Sequence, residues 1–594
     1  MRLLDASFFA PYPGTLALGD YMPGYAVVSV PIVALTGNPV VAHNVLLLLS
    51  HAVAALGAAA LAARLTGALG PALVAGVGFA YAPRLLNEAY NVQTLAICWF
   101  PWLLLTIERA LERPTWGRAA LAGAGWLGLA LASLNVFLYG SVVAALFTAA
   151  AVILGGRRVT REHLLPLGLV AVLAVGLLVW VVLAPNRALA REWNLARDVT
   201  EIERYSATLP DLAGVPREAV LRRLLGLGAD GERAGLVPGV TATALAIAGL
   251  VAVVRGWNGL RPALLPYLAT LLGTAVLALG PSLATPWGPL SLPYRLLYGA
   301  VPGFGALRTP FRFLFFVDLG VALLAAAGVA WVVRRRRGPG RWVVVAALVA
   351  LLLVESVPVP YPGAVSRLDP AALPAVYRWL ATQPPETIAL GIPMGDWANI
   401  AAAAFHLRRT VNGWSSYLPP HYLALADAME RFPDPRSLAL AQGAGVDVVL
   451  VDRAWLTPAR TAALSAVPSL LRAERAFPTH MVYRLSPAPG ALGRVEAEAA
   501  VAPGQACVTL RNPGPGFVPL YPLHRLHLAV EGGGDEGLRW LPVDLAPGGV
   551  HTACVGLPAP RPPLRIRGEV ENGARVYRFA VSAEGGAQRL ERVR

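Results

Sequence analysis

Ten apolar stretches approach the length needed to cross a bilayer, and all lie within the first 356 residues. They run over 41–62, 67–82, 92–111, 118–133, 136–154, 164–184, 238–254, 262–280, 312–333 and 342–356. A soluble protein of 594 residues would need far more surface charge than the 14% found here; 56% of the chain is hydrophobic. Mean hydropathy is +0.56, so most of the chain is expected to sit in lipid. Several stretches fall short of about 20 residues, which predicts tilted or partly re-entrant helices. A further run, "YMPGYAVVSVPIVALTG" (21–37), is broken by Gly24 and Pro31 and reads as a helix lying at the interface.

Arginine placement predicts orientation. The tightest cluster, "VVRRRRGPGRW" (332–342), is cytoplasmic by the positive-inside rule. Counting outward, "RGWNGLR" (255–261), "GGRRVTREH" (155–163), "ERALERPTWGR" (108–118) and the turn after Arg64 fall on the same side, and each carries arginine. Segment 185–237 falls outside with eight arginines, matched there by eight acids in a loop long enough to weaken the rule. Everything from about 357 onward is then extracytoplasmic. Residues 1–40 also begin outside, which points to a transmembrane helix ahead of them; the alternative is that 21–37 spans and the N-terminus is cytoplasmic.

The outer segments differ in character. "PREAVLRRLLGLG" within 185–237 is a short amphipathic helix suited to the leaflet surface. The loop 281–311 is rich in Pro, Gly and aromatics, as functional loops often are. Over 357–490, "AVYRWLATQ", "PRSLALAQGAG" and "PARTAALSAV" read as helices and "TIALGIP" and "VDVVLVD" as strands, giving an α/β domain. From 491 to 594, short alternating strands such as "ACVTLRN", "TACVGLP" and "VYRFAVSA" suggest a β-sandwich. The expected fold is thus mainly α: a polytopic membrane bundle of about ten or eleven helices over 1–356, with outer loops 1–40, 185–237 and 281–311. An extracytoplasmic α/β unit and a β-sandwich follow.

The formal charge of +15 would suit a nucleic-acid partner, but every basic residue is Arg and the arginines gather at the ends of apolar segments. Nucleic acid is therefore excluded as a partner. Cys98 lies in an apolar run; Cys507 and Cys554 fall in strand-like stretches, where a disulfide and two buried thiols are both open.

The chain lacks a P-loop, HExxH, CxxC or Rossmann glycine fingerprint. What remains are polar residues where polarity is costly. Asp5 and Asp20 flank the aromatic loop at the outer face, where a carboxylate could act as general base or metal ligand, or simply shape a turn. Arg84, Asn87, Glu88, Asn91 and Gln93 cluster in "APRLLNEAYNVQTLA". Arg84 could hold a lipid phosphate, or pair with Glu88 four residues on. Arg308 and Arg312, in "LRTPFRFLFFVD", lie one turn apart and suit a phosphate head group or snorkelling to ordinary lipid. Asp318 is an intramembrane carboxylate, expected as partner to an arginine. His51 reads as an interhelical hydrogen-bonding group.

Three runs carry a resemblance. "DASFFAPYPGTLALGDYMPG", "NPVVAHNVLLLLSHAVAALGAAALAARLTG" and "GFAYAPRLLNEAYNVQTLAICWFPWLLL" resemble the front of bacterial multi-pass GT-C-type glycosyltransferase-like proteins. "LPYRLLYGAVPGFGALRTPFRF" and the outer-domain run "RRTVNGWSSYLPPHY…FPDPRSLALAQGAGVDVVLVD" are similar to later parts of the same group. The resemblance covers most of 1–455. It implies a helix and an acidic, aromatic stretch ahead of "DASFFAPYPG".

It also implies a bacterial inner-membrane enzyme that moves a sugar from a polyprenyl-phosphate donor to an extracytoplasmic glycan, lipid or protein. On that reading an acid of the first loop, Asp5 or Asp20, deprotonates the acceptor. Arg84, Arg308 and Arg312 hold the donor phosphate, with Glu88 and Asp318 in support. It assigns no certain cofactor and leaves a divalent metal open. The rival expectation is a non-catalytic transporter or scaffold in envelope polysaccharide assembly.

Overall fold

The structure, a computed structural model, describes residues 6–594 apart from 13, 21, 90, 158–159, 179–196, 210–238, 258–259, 335–337, 357–372, 396, 419, 487–493, 503–504, 515–517, 519–523, 531–536, 542–543, 557–564, 572–575, 583–587 and 593–594. Asp5 and the expected amphipathic helix "PREAVLRRLLGLG" lie outside the described residues. The chain divides into two compact units, Asp20–Asp369 and a second made of Met1–Gly19 with Pro370–Arg594. In this division residues 1–19 group with the C-terminal part of the chain.

The Asp20–Asp369 unit is helical. Its first helices are α1 (Pro23–Thr36), α2 (Pro39–Thr66), α3 (Leu69–Ala80), α4 (Pro83–Asn87), α5 (Phe100–Glu112), α6 (Trp116–Ala132), α7 (Leu134–Ile153) and α8 (Arg161–Leu178). Helices Val240–Val254, Leu260–Ala278, Leu314–Val333 and Pro339–Ser356 follow. Six spans among the described residues are long and apolar enough to cross a membrane: 39–66, 69–87, 92–112, 134–153, 310–333 and 339–356. Local signals set their ends. The Asn38 side chain accepts from the Val40 N–H at 2.9 Å to start α2, Pro39 follows, and Gly67 stops it at φ 66°. The run at 21–37 forms the 14-residue α1 despite Pro31.

Helix Leu314–Val333 is the core of this unit, buried along nearly all its length. It meets Val240–Val254 through glycine. A Cβ on Gly249 would lie 1.9 Å from the Leu324 carbonyl oxygen, and one on Gly328 would lie 2.0 Å from that of Leu245. No other residue allows the two backbones this close. At one end of the bundle Glu108 and Glu112 of α5 bridge Arg64 and Arg157, tying α2 to the loop after α7. The loop 281–311 contains a hairpin of β1 (Ser282–Thr285) and β2 (Gly288–Ser291), then a helix over Tyr294–Ala300.

In the other unit, strands β3 (Ile388–Ile392), β4 (Arg409–Thr410), β5 (Val448–Asp452), β6 (Leu471–Ala476) and β7 (His480–Leu485) form a sheet of order β4-β3-β5-β7-β6. Pairs β3–β4 and β3–β5 are parallel, with helix 435–443 leading into β5 as expected. Residues 6–19 dock on the β4 edge. Phe9 N–H donates to the Asn412 carbonyl at 3.2 Å, Ala10 N–H to that of Thr410 at 2.9 Å, and Thr410 N–H to that of Ser7 at 2.6 Å. The Phe9 ring covers Gly413, where a Cβ would come within 2.3 Å of it, and stands edge-on to Tyr422 at 4.7 Å. Phe9 holds φ at 62°, a strained value for a bulky residue that this burial stabilises.

Two antiparallel sheets make the sandwich. The first is β8 (Glu496–Ala502), β9 (Gln505–Arg511), β12 (Val550–Gly556) and β15 (Gln588–Arg589). The second is β10 (Arg525–Val530), β11 (Gly537–Trp540), β13 (Arg565–Glu571), β14 (Val576–Ser582) and β16 (Glu591–Arg592). Cys507 and Cys554 face each other across β9 and β12 and form a disulfide, which resolves the alternative the sequence left open.

Candidate functional site

Four breaks between helices meet at one end of the Asp20–Asp369 unit: the residues before α1, the elbow between α6 and α7, the link 88–94, and the turn Pro310–Phe313. Helix ends leave backbone N–H and C=O groups without helical partners, so polar side chains collect there. Ser133, in extended conformation, both ends α6 and caps α7, its Oγ accepting from the Val136 N–H at 3.1 Å.

Asp20 seats its carboxylate on this cap. One oxygen accepts from the Leu134 N–H at 2.8 Å and the other from the Ser133 hydroxyl. The carboxylate thus lies at the positive end of the α7 dipole. Removal from water nevertheless dominates and pushes its pKa up to about 6, against the opposing pull of Ser133, Leu134 and the Arg312 charge.

Arg312 is 8% exposed, and Gln93 is its link to Asp20. The hydrogen-bonding pattern orients the Gln93 carboxamide with its oxygen toward the guanidinium, 3.0 Å from Nη1 and 2.5 Å from Nη2. Its nitrogen then lies 3.3 Å from Asp20 Oδ2 and 2.9 Å from Asn135 Nδ2. Burial raises the Glu88 pKa, opposed by Arg312 and by a hydrogen bond from Asn91. The Thr94 hydroxyl, 2.8 Å from the Glu88 carbonyl and 2.7 Å from that of Asn91, holds this link folded.

The structure therefore gathers Asp20, Glu88 and Arg312 and sends the other candidates elsewhere. Arg84 does not pair with Glu88, nor does it stand open to a phosphate. Its Nη1 donates to Asp318 at 3.0 Å and to the Leu314 carbonyl, deep against helix Leu314–Val333. Arg308 stacks over the Tyr205 ring at 5.2 Å. His51 Nδ1 lies 2.9 Å from the Leu47 carbonyl of its own helix.

Among the described residues no group of three or more His, Cys, Asp or Glu is placed to hold a metal. Each Asp20 oxygen accepts a hydrogen bond, from Ser133 or from Leu134, and the described residues gather no set of metal ligands around them. What the arrangement can do is take a proton at a carboxylate whose pKa approaches neutrality and hold an anionic oxygen on a guanidinium beside it.

Sequence reading passes over Ser133 and Asn135. The available signal is the pair Ser133 and Asn135 in "SLN", two polar residues between apolar stretches and a cap sequence at a helix–helix elbow. Neither the models of known protein families nor the curated proteins contain a match to this chain.

Proposed function

We propose that the protein is a polytopic membrane glycosyltransferase of GT-C type in the bacterial inner membrane, with its Pro370–Arg594 half extracytoplasmic. The observation that carries this reading is the Asp20–Gln93–Arg312 chain, a base and an anion holder one carboxamide apart at the end of an apolar bundle. The arginine-rich sequence 334–341 and the Cys507–Cys554 disulfide support the orientation.

In this reading a polyprenyl-phosphate sugar brings its phosphate to Arg312. Asp20 removes the proton from an acceptor hydroxyl of a glycan, lipid or protein. That oxygen bonds to the anomeric carbon as the carbon–oxygen bond to phosphate breaks, and the phosphate leaves with its charge on Arg312. One base and one displacement invert the anomeric centre.

A second reading, a non-catalytic scaffold or transporter for envelope polysaccharide, draws on the contacts of Asp20 to Ser133 and Leu134, which by themselves make an ordinary helix cap. Asp20→Asn separates the two, since the amide oxygen still caps α7 but takes up no proton. Transfer from radiolabelled undecaprenyl-phosphate hexoses is measured on the full chain in lipid nanodiscs. An enzyme loses about 10²- to 10⁴-fold in kcat. If the wild type transfers sugar and Asp20→Asn transfers it equally well, the role of the base is refuted.

A further inference from the structure

We infer that Gln93 is a placeholder for a phosphate oxygen, so that anion binding at Arg312 releases Asp20. This deepens the reading of the site given above and rests on it.

The guanidinium of Arg312 is the strongest donor group at the site, and its two terminal nitrogens converge on the single oxygen of Gln93, at 3.0 and 2.5 Å. That is the geometry in which a guanidinium clamps an anionic oxygen. The third donor, Nε, is buried without a partner. A buried N–H left unmade is costly, and a phosphate offers further oxygens where one carboxamide oxygen does not. Asp20 and Glu88 both feel the Arg312 charge, yet neither makes a direct ion pair with it; the neutral amide stands where the ionic partner belongs.

A phosphate oxygen carries negative charge and binds a guanidinium more tightly than the neutral oxygen of an amide does. It therefore displaces Gln93, whose own bond to Asp20 Oδ2 is given up in the exchange. The displaced carboxamide has a place to go: turned over, its oxygen accepts from Asn135 Nδ2 at 2.9 Å, a donor that faces its nitrogen while Arg312 holds it. As it turns, its nitrogen leaves Asp20 Oδ2. The carboxylate then loses a donor that stabilised its charge and becomes the stronger base. Gln93 is accordingly a positioning residue: it keeps Asp20 occupied until the phosphate has arrived.

The sign of one substitution tests this. A residue that merely helps hold phosphate weakens binding when removed, whereas a placeholder strengthens it. Farnesyl phosphate and inorganic phosphate are the probes, separating a lipid-tailed ligand from a free anion. Binding to the full chain in nanodiscs is followed by calorimetry, so the readout does not depend on turnover.

Gln93→Ala is expected to tighten the bound probe about five- to tenfold, the worth of the displaced hydrogen bonds. Gln93→Glu is expected to abolish binding by filling Arg312 with a fixed carboxylate, and Arg312→Gln to abolish it outright. Weaker binding in Gln93→Ala, with Arg312 still required, overturns the placeholder and leaves the phosphate site standing. Absence of binding by either probe in the wild type and in Gln93→Ala overturns both.

Discussion

Arg84 and Asp318, 234 positions apart in the chain, form an ion pair of 3.0 Å inside the helical unit, with both side chains sealed from solvent. A second bond from Arg84 to the Leu314 carbonyl fixes the guanidinium at the start of the central helix. Breaking such a pair strands a buried charge. Arg84→Met alone, or Asp318→Leu alone, is expected to destabilise the unit by about 3–5 kcal/mol, while the double variant recovers most of the loss. Thermal unfolding in detergent of the two singles and the double checks it. Additive losses in the double variant would show that the pair is not the source.

On the proposed function, the pH dependence of sugar transfer should report on Asp20. A base with a pKa near 6 gives a kcat/KM that rises through that pH and is lost below it. Ser133→Ala removes a donor to the charged form, so the acid limb should move to higher pH. Stability runs the opposite way. Because the folded pKa lies above the ordinary 3.8, this carboxyl favours the folded state most below 3.8, and that contribution is lost as pH climbs through about 6. An acid limb unmoved in Ser133→Ala would assign it to another group.

Local chemistry was legible and long-range pairing was not. The stretch read at 41–62 extends to Pro39–Thr66 because its stops are adjacent residues, an Asn-Pro start and a Thr-Gly end. The sandwich strands follow from alternation, and β3 and β5 from short apolar runs buried along nearly their whole length. Arg308 and Arg312, one turn apart, looked like a pair. Thr309 leaves helical geometry at φ −122°, ψ 70° and Pro310 opens a new turn, so one arginine goes to Tyr205 and the other to Gln93. Docking of residues 6–19 beside β4 was equally hidden, since it depends on a glycine at 413 that leaves room for a ring 404 positions earlier, at Phe9. Spacing carries no trace of such contacts.

The Cys507–Cys554 bond closes a sequence separation of 47 residues within the first sheet of the sandwich. On the chain-entropy account a loop of that size is worth about 4 kcal/mol to the folded state. Cys507→Ser with Cys554→Ser, or reduction, is expected to lower the denaturation midpoint of the sandwich by that order. Hydrogen exchange over β9 and β12 locates the loss. Unchanged protection in both strands would mean that the sheet stands without the crosslink.

His406, 3% exposed at the end of helix Trp397–His406, gives the C-terminal half its own acid sensitivity. Burial, aided by the charge of Arg408, lowers its pKa to about 4, and the neutral ring accepts the Arg408 N–H at 3.0 Å. Above pH 6.5 the ring is neutral whether the chain is folded or not, so its contribution to stability is complete there. Between 6.5 and about 4 only the unfolded chain takes up the proton, and the folded state loses ground steadily. At 1.36 kcal/mol per pH unit, the loss by pH 4.5 is roughly 2–3 kcal/mol. His406→Phe removes this titration while the carboxylates still titrate. Denaturant midpoints of the full chain at pH 7 and 4.5 should therefore fall further apart in the wild type than in the variant. Equal separations would mean that His406 is protonated in the fold, and that Arg408 N–H has another acceptor.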